Sequence, residues 1–201
     1  MIIRSCERMF AIMRNEPYAY VMSGDYKKLS GPGNKGAAGK SDHSIHRTFF
    51  ESDFRYFCSG LYNCYKRHES LETIFASAAN VWEGMVHFRE TMAQGNKALY
   101  SKHIADANSF SACKRLNLAL RWLVRKGPVD LCVWKKISPA SLYIPLDLHV
   151  GRVSRQLGLL DPGRKSNDKK AVLTLTEKLR EFCPGDPVKY DFALFGMGVA
   201  G

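Results

Sequence analysis

The chain has 201 residues, 45% of them hydrophobic, and carries 30 lysines and arginines against 19 aspartates and glutamates for a net charge of +11. That size and apolar content suit one folded domain spanning residues 1–201 and exclude wholesale disorder. The charge favours polyanionic partners, with nucleic acid first and an anionic membrane surface second.

In chain order, residues 5–14 carry Met9, Phe10, Ile12 and Met13 at helical spacing, and the run stops before Pro17. Residues 30–43, SGPGNKGAAGKSDH, predict a glycine-rich surface loop. Within it, Gly36 to Ser41 imitates the end of a phosphate-binding loop. Asn34 stands where that pattern needs glycine, and no buried strand precedes it. Residues 52–67 (Phe54, Phe57, Leu61, Tyr65) and 70–93 (Leu71, Ile74, Phe75, Val81, Trp82, Met85, Phe88) predict helices, the second broken near Gly84. Residues 95–110 are weakly periodic and predict a long surface connection. Helical runs follow at 112–125, 148–159 and 167–182. Asp186-Pro187 then reads as a cap with proline at the first helical position, opening a last helix through about Gly196. No hairpin signal stands out, so the expected fold class is all-α.

No stretch approaches the roughly 18 apolar residues of a membrane span. The opening MIIRSCERMF lacks the apolar core and small-residue cleavage site of a secretory signal. Cys6, Cys58, Cys64, Cys113, Cys132 and Cys183 include no C-x-x-C pair and read as reduced thiols of a cytoplasmic protein. The six histidines show no ligand spacing, so no metal is expected.

The segment from Ser111 to Leu160 holds the chemistry. Asp147 precedes the run Leu148, Val150, Val153, Leu157 and is placed to cap that helix with its carboxylate. Lys114 lies three residues after Ser111, a candidate cap, in a first turn where the helix dipole disfavours an ammonium. A neutral lysine and an ionised carboxylate can together cleave a glycosidic bond. The same positions are also met by a plain N-cap and an ordinary surface lysine, and spacing does not bring the two together. His149, Arg152 and Arg155 share the helix after Asp147, either as a solvated face or as phosphate contacts. The final VKYDFALFGMG places Tyr190, Phe192 and Phe195 in a stripe that is either core or a wall for a flipped base.

Four stretches, His46–Phe49 (HRTF), Ser111–Arg125, Ile144–Leu160 and Asp186–Gly198, resemble domain of unknown function family 2400. That is a family of bacterial proteins distantly similar to helix-hairpin-helix DNA glycosylases. The run Pro145 to Arg152 (PLDLHVGR) resembles the V-D-x-H-V-x-R setting of the glycosylase aspartate. The usual L-P-G-V-G-x-K hairpin is missing, and the lysine lies farther upstream, as in the archaeal 8-oxoguanine glycosylase branch. The resemblance implies a glycosylase-like helical domain with two lobes around a cleft. It implies excision of a damaged base, an oxidised purine for instance, through a lysine Schiff base with lyase activity. Lys114 takes the nucleophile's role and Asp147 the carboxylate's; His149 and Arg152 hold the backbone, and Tyr190, Asp191 and Phe195 line the base pocket. No cofactor is required. The expected partner is DNA, damaged duplex or single strand, with no membrane; charge does not identify the sugar, so RNA stays open. A catalytically silent nucleic-acid-binding helical module is the alternative. Relatives begin with further helices, which implies truncation at the N-terminus, and they tend to have glycine where this chain has Cys132.

Overall fold

The computed structural model describes residues 2–29, 42–96 and 100–200. The Gly36–Ser41 segment therefore lies outside the described residues. The chain forms two compact units, residues 1–71 with 90–101, and residues 72–89 with 102–201. The described elements are mostly helical, and none of the helices is long and apolar enough to cross a membrane.

In the first unit, α1 (Ile2–Ile12) is followed by α2 (Pro17–Ser23). Pro17 sits at the start of α2, where its missing N–H has no intrahelical partner to lose. The proline that ends one periodic run thus begins a helix that periodicity misses. Strands β1 (Ser44–His46) and β2 (Phe49–Phe50) pair antiparallel across Arg47 and Thr48, and Arg47 takes a left-handed φ of 50°. Helix α3 (Glu51–Arg67) starts where Asp53 accepts the Phe50 N–H at 3.0 Å and Asp42 accepts the Ser52 N–H at 3.0 Å. Tyr20, Val21, Tyr26, Ile45, Phe54 and Cys58 form the core, with Met9 and Ile12 of α1 packed against it. A methyl at Gly60 would lie 2.7 Å from Met92, so only glycine fits there.

In the second unit the expected break near Gly84 falls elsewhere. Helix α4 (Leu71–Ala76) ends before Asn80, and α5 (Val81–Ala93) begins after it. Asn80 accepts the Glu83 N–H at 2.9 Å while Glu83 accepts the Ala79 N–H at 3.1 Å, a reciprocal cap that starts a new helix. Gly84 lies inside α5 because a side chain there would strike Phe75, at 2.8 Å from its Cα. Between α5 and α6 (Lys114–Val124) the described residues form turns.

A second hairpin, β3 (Lys126–Gly127) and β4 (Asp130–Leu131), follows α6 directly. Cys132 has a φ of 53°, the left-handed backbone that favours glycine. The two small hairpins correct the strictly all-α expectation; both turn on residues other than the usual Asn-Gly pair. Helix α7 (Leu148–Gln156) buries Val150 and Val153, while α8 (Lys169–Phe182) buries Val172, Leu175 and Leu179. Asp168 caps α8 through the Ala171 N–H at 3.0 Å. Burial works to raise its carboxyl, but the Ala171 N–H, the Ser166 hydroxyl and the Arg164 guanidinium together hold it below its usual range. The last segment opens at Pro187 as a 3₁₀ turn and becomes α9 (Asp191–Ala200) only afterwards.

Candidate functional site

The extended run Ile144, Pro145, Leu146 is buried and delivers Asp147 to the head of α7. Its two carboxylate oxygens have different partners. Oδ1 accepts the Val150 N–H at 2.9 Å, as expected of a helix cap. Oδ2 lies 3.2 Å from Nζ of Lys114, the first residue of α6. The two residues proposed from sequence therefore meet. The carboxylate is 12% exposed and the lysine side chain 47%, so the pair is rooted on one side and open to solvent on the other.

Lys114 is presented by an unusual helix start. The expected cap, Ser111, lies too far upstream. The N-cap is Cys113, whose φ of 47° turns the backbone sharply into the helix, and Ser111 Oγ instead accepts the Cys113 N–H at 3.2 Å. Asn117, one turn into α6, donates from Nδ2 to the Ala112 carbonyl at 3.0 Å and is buried. Burial also pushes the Cys113 thiol up. On the other side, Asn167 donates to the Asp147 carbonyl at 2.9 Å, and Arg155 grips Asn167 together with the Arg164 and Ser166 carbonyls. Arg155, weighed as a phosphate contact, is thus committed to the loop before α8. Asn167 and Cys113 were not legible as site residues. Asn167 sits in a polar loop where many positions look alike, and nothing in the sequence announces a non-glycine residue in a left-handed conformation.

His149 and Arg152 converge on one acceptor. His149 Nδ1 donates to the Gly198 carbonyl at 2.8 Å, and Arg152 donates to the same oxygen. The α7–α9 contact is close there, because a methyl at Gly198 would lie 2.7 Å from His149 Cβ. The Phe195 ring packs edge-on against His149 at 5.5 Å between centroids. Tyr190 stands apart from this group, edge-on to Phe182 with Lys189 over its ring. Phe192 and Phe195 are 51% and 41% exposed, so the aromatic stripe is not core.

Asp191 belongs to a buried charge network. Its carboxylate accepts from Arg121, which is 3% exposed. Arg121 also donates to Asp130 at 3.1 Å, Arg125 pairs with the other Asp130 oxygen at 2.6 Å, and Arg125 reaches Asp186 at 2.8 Å. Burial pushes the Asp191 carboxyl above its usual range, opposed by Arg121 and reinforced by the charges of Asp147 and Asp130. Arg121 lies two turns beyond Lys114 on α6, so the network ties the lysine's helix to the start of α9. Among the described residues, no group of three or more histidine, cysteine or acidic side chains is clustered to hold a metal ion.

The family described as Protein of unknown function (DUF2400) matches residues 1–200. The chain belongs to that family. No curated protein matches it, and no solved structure does. The chemistry this DUF2400 chain presents at the pair is an amine and, 3.2 Å from it, a carboxylate.

Proposed function

We propose that this protein is a DNA glycosylase/lyase that removes a damaged base, an oxidised purine in the first instance, with the second unit as a glycosylase-like helical lobe. The observation that carries the reading is the 3.2 Å approach of Lys114 Nζ to Asp147 Oδ2 at two helix starts. The net charge of +11 supports a polyanionic substrate, and with DNA as that substrate the proposed location is the bacterial nucleoid.

In the proposed reaction the damaged nucleotide is extruded from the stack. Lys114 gives its proton to Asp147 and attacks the sugar C1′ with the freed lone pair. The C1′–N bond breaks, its electrons leave with the base, and the proton held at Asp147 passes to the base nitrogen. Asp147, ionised again, takes a proton from the ammonium now attached to C1′. The nitrogen lone pair forms the C1′=N bond as the C1′–O4′ bond breaks and that proton passes to O4′, leaving a Schiff base between Lys114 and C1′; loss of a C2′ proton and of the 3′ phosphate then cleaves the strand. His149 and Arg152 brace α7 through Gly198, a supporting role rather than direct contact with the DNA backbone.

Borohydride trapping tests this reading. Duplexes carrying 8-oxoguanine or an aldehydic abasic site should yield a covalent adduct that Lys114→Ala abolishes. Asp147→Asn should slow its formation about a hundredfold or more. No adduct with any lesion in the panel would favour the catalytically silent nucleic-acid-binding module. That second reading is supported by the cap that Asp147 makes irrespective of chemistry.

A further inference from the structure

Among the described residues of the second unit, the two most exposed large apolar side chains are Phe110, at 89%, and Leu148, at 75%. Scattered apolar residues on a surface are ordinary, but each of these two lies close along the chain to a member of the Lys114–Asp147 pair. Leu148 directly follows Asp147, and Phe110 precedes Lys114 by four residues, which limits the Cα separation of Phe110 and Lys114 to about 14 Å.

The phenyl ring is also presented on a fixed support. Asp106, 3.4 Å from Arg89, accepts the Asn108 N–H at its carboxylate and the Ser109 N–H at its carbonyl. Ser109 Oγ accepts the Ser111 N–H at 3.2 Å, and the Phe110 carbonyl accepts the Lys169 N–H at 2.9 Å at the head of α8. A loop pinned at both sides of Phe110 fixes the backbone that carries the ring. The fold therefore leaves an aromatic side chain in water four residues before Lys114. Arg115 and, in the segment joined to Phe110 through Lys169, Lys165 and Lys170 are exposed and basic, and the carboxylates of Asp106 and Asp168 are paired with arginines.

We infer that Phe110 is a wedge that enters the base stack of duplex DNA and fills the gap left by an extruded nucleotide, with Leu148 flanking it. An apolar ring inserted between base pairs offsets the lost stacking, and surrounding basic side chains supply the attraction to phosphate. This rests on the reading of Lys114 and Asp147 as a site acting on DNA, and it assigns the contact that keeps the nucleotide out.

The full chain is tested on a duplex with a tetrahydrofuran abasic analogue opposite 2-aminopurine, against the intact duplex. Tetrahydrofuran cannot form a Schiff base, so binding is read apart from chemistry. Wild type should prefer the gapped duplex and change the 2-aminopurine fluorescence. Phe110→Ala should lose that preference about tenfold or more together with the fluorescence change, and Phe110→Trp should keep both. The ring contributes nothing to the core, so Phe110→Ala should fold as wild type by circular dichroism. Binding and fluorescence of Phe110→Ala equal to wild type, or no preference in wild type itself, would overturn the wedge. Borohydride trapping on an aldehydic abasic site, run in parallel, separates the two proposals. An adduct with Phe110-independent binding removes the wedge and leaves the chemistry; Phe110-dependent binding without an adduct removes the chemistry and leaves the wedge.

Discussion

Replacing Arg121 by methionine should be the most damaging single change in the second unit. The arginine is 3% exposed and is the cation that holds Asp191, itself 6% exposed. Arg125 still serves Asp130 when Arg121 is gone, but among the described residues no second arginine pairs with Asp191. Removing one partner of a buried ion pair costs about 3–5 kcal/mol, because the other charge is left without compensation. The loss must also depend on pH. Burial already raises the Asp191 carboxyl, and removing Arg121 takes away the main opposing influence. A carboxyl whose folded pKa lies above its unfolded value binds protons more tightly in the native state. Stability is therefore highest at low pH and falls as pH rises from the ordinary carboxylate range through the folded pKa. Arg121→Met should thus be much closer to wild type near pH 5 than at pH 8, and adding Asp191→Asn should recover part of the loss at pH 8. Trp82, Trp122 and Trp134 all lie in the second unit, so urea unfolding followed by tryptophan fluorescence reports on it selectively. A cost under about 1 kcal/mol at pH 8, the size expected of a surface pair, or a loss that does not change with pH, would refute the reasoning.

Two further outcomes are expected. Asp147→Asn keeps a cap acceptor for Val150 while Asp147→Ala does not, so in the same assay only the alanine variant should lose about 1 kcal/mol; equal losses would show that the cap is unimportant. Burial pushes the thiols of Cys58 and Cys64 up to about 12, whereas Cys6 is exposed, so a thiol reagent at pH 8 should label Cys6 in the native protein and reach the other two only after unfolding. Fast native labelling of Cys58 or Cys64 would contradict the packing of α3.

The helices are legible where a cap and a periodic apolar run coincide, as at Asp147; the Asp168 cap of α8 is hidden in a polar run. They were misread where one residue type serves two ends. The first run does stop before Pro17, but the same proline also opens α2, and Gly84 marks a point of close packing on Phe75 and not a break. The Asn80–Glu83 pair that does start α5 is a readable signal, three residues apart and followed by Trp82 and Met85. The hairpins escaped notice because Arg47 carries its positive φ without glycine or asparagine. At the site, Lys114 and Asp147 were named from their places at helix starts, and their meeting came from tertiary packing that no local pattern encodes. The roles read for His149 and Arg152 rested on charge and did not anticipate a carbonyl at Gly198 as their common acceptor. Arg121 looked like one more polar residue on an amphipathic helix, since its burial depends on acids nine and seventy positions away.

Asp147 answers to two neighbours at once, Val150 through one oxygen and Lys114 through the other. A chain in which the proposed reaction had been lost would still need an acceptor at 147 to begin its helix, so the aspartate would persist through drift. Position 114 has no such tie. A half-solvated ion pair contributes at most about 1 kcal/mol, little enough for glutamine or serine to replace the lysine without unfolding anything. In comparing members of this family, the amine at the head of α6 is therefore the marker to follow: where it disappears while the acid remains, the fold is kept without the proposed nucleophile.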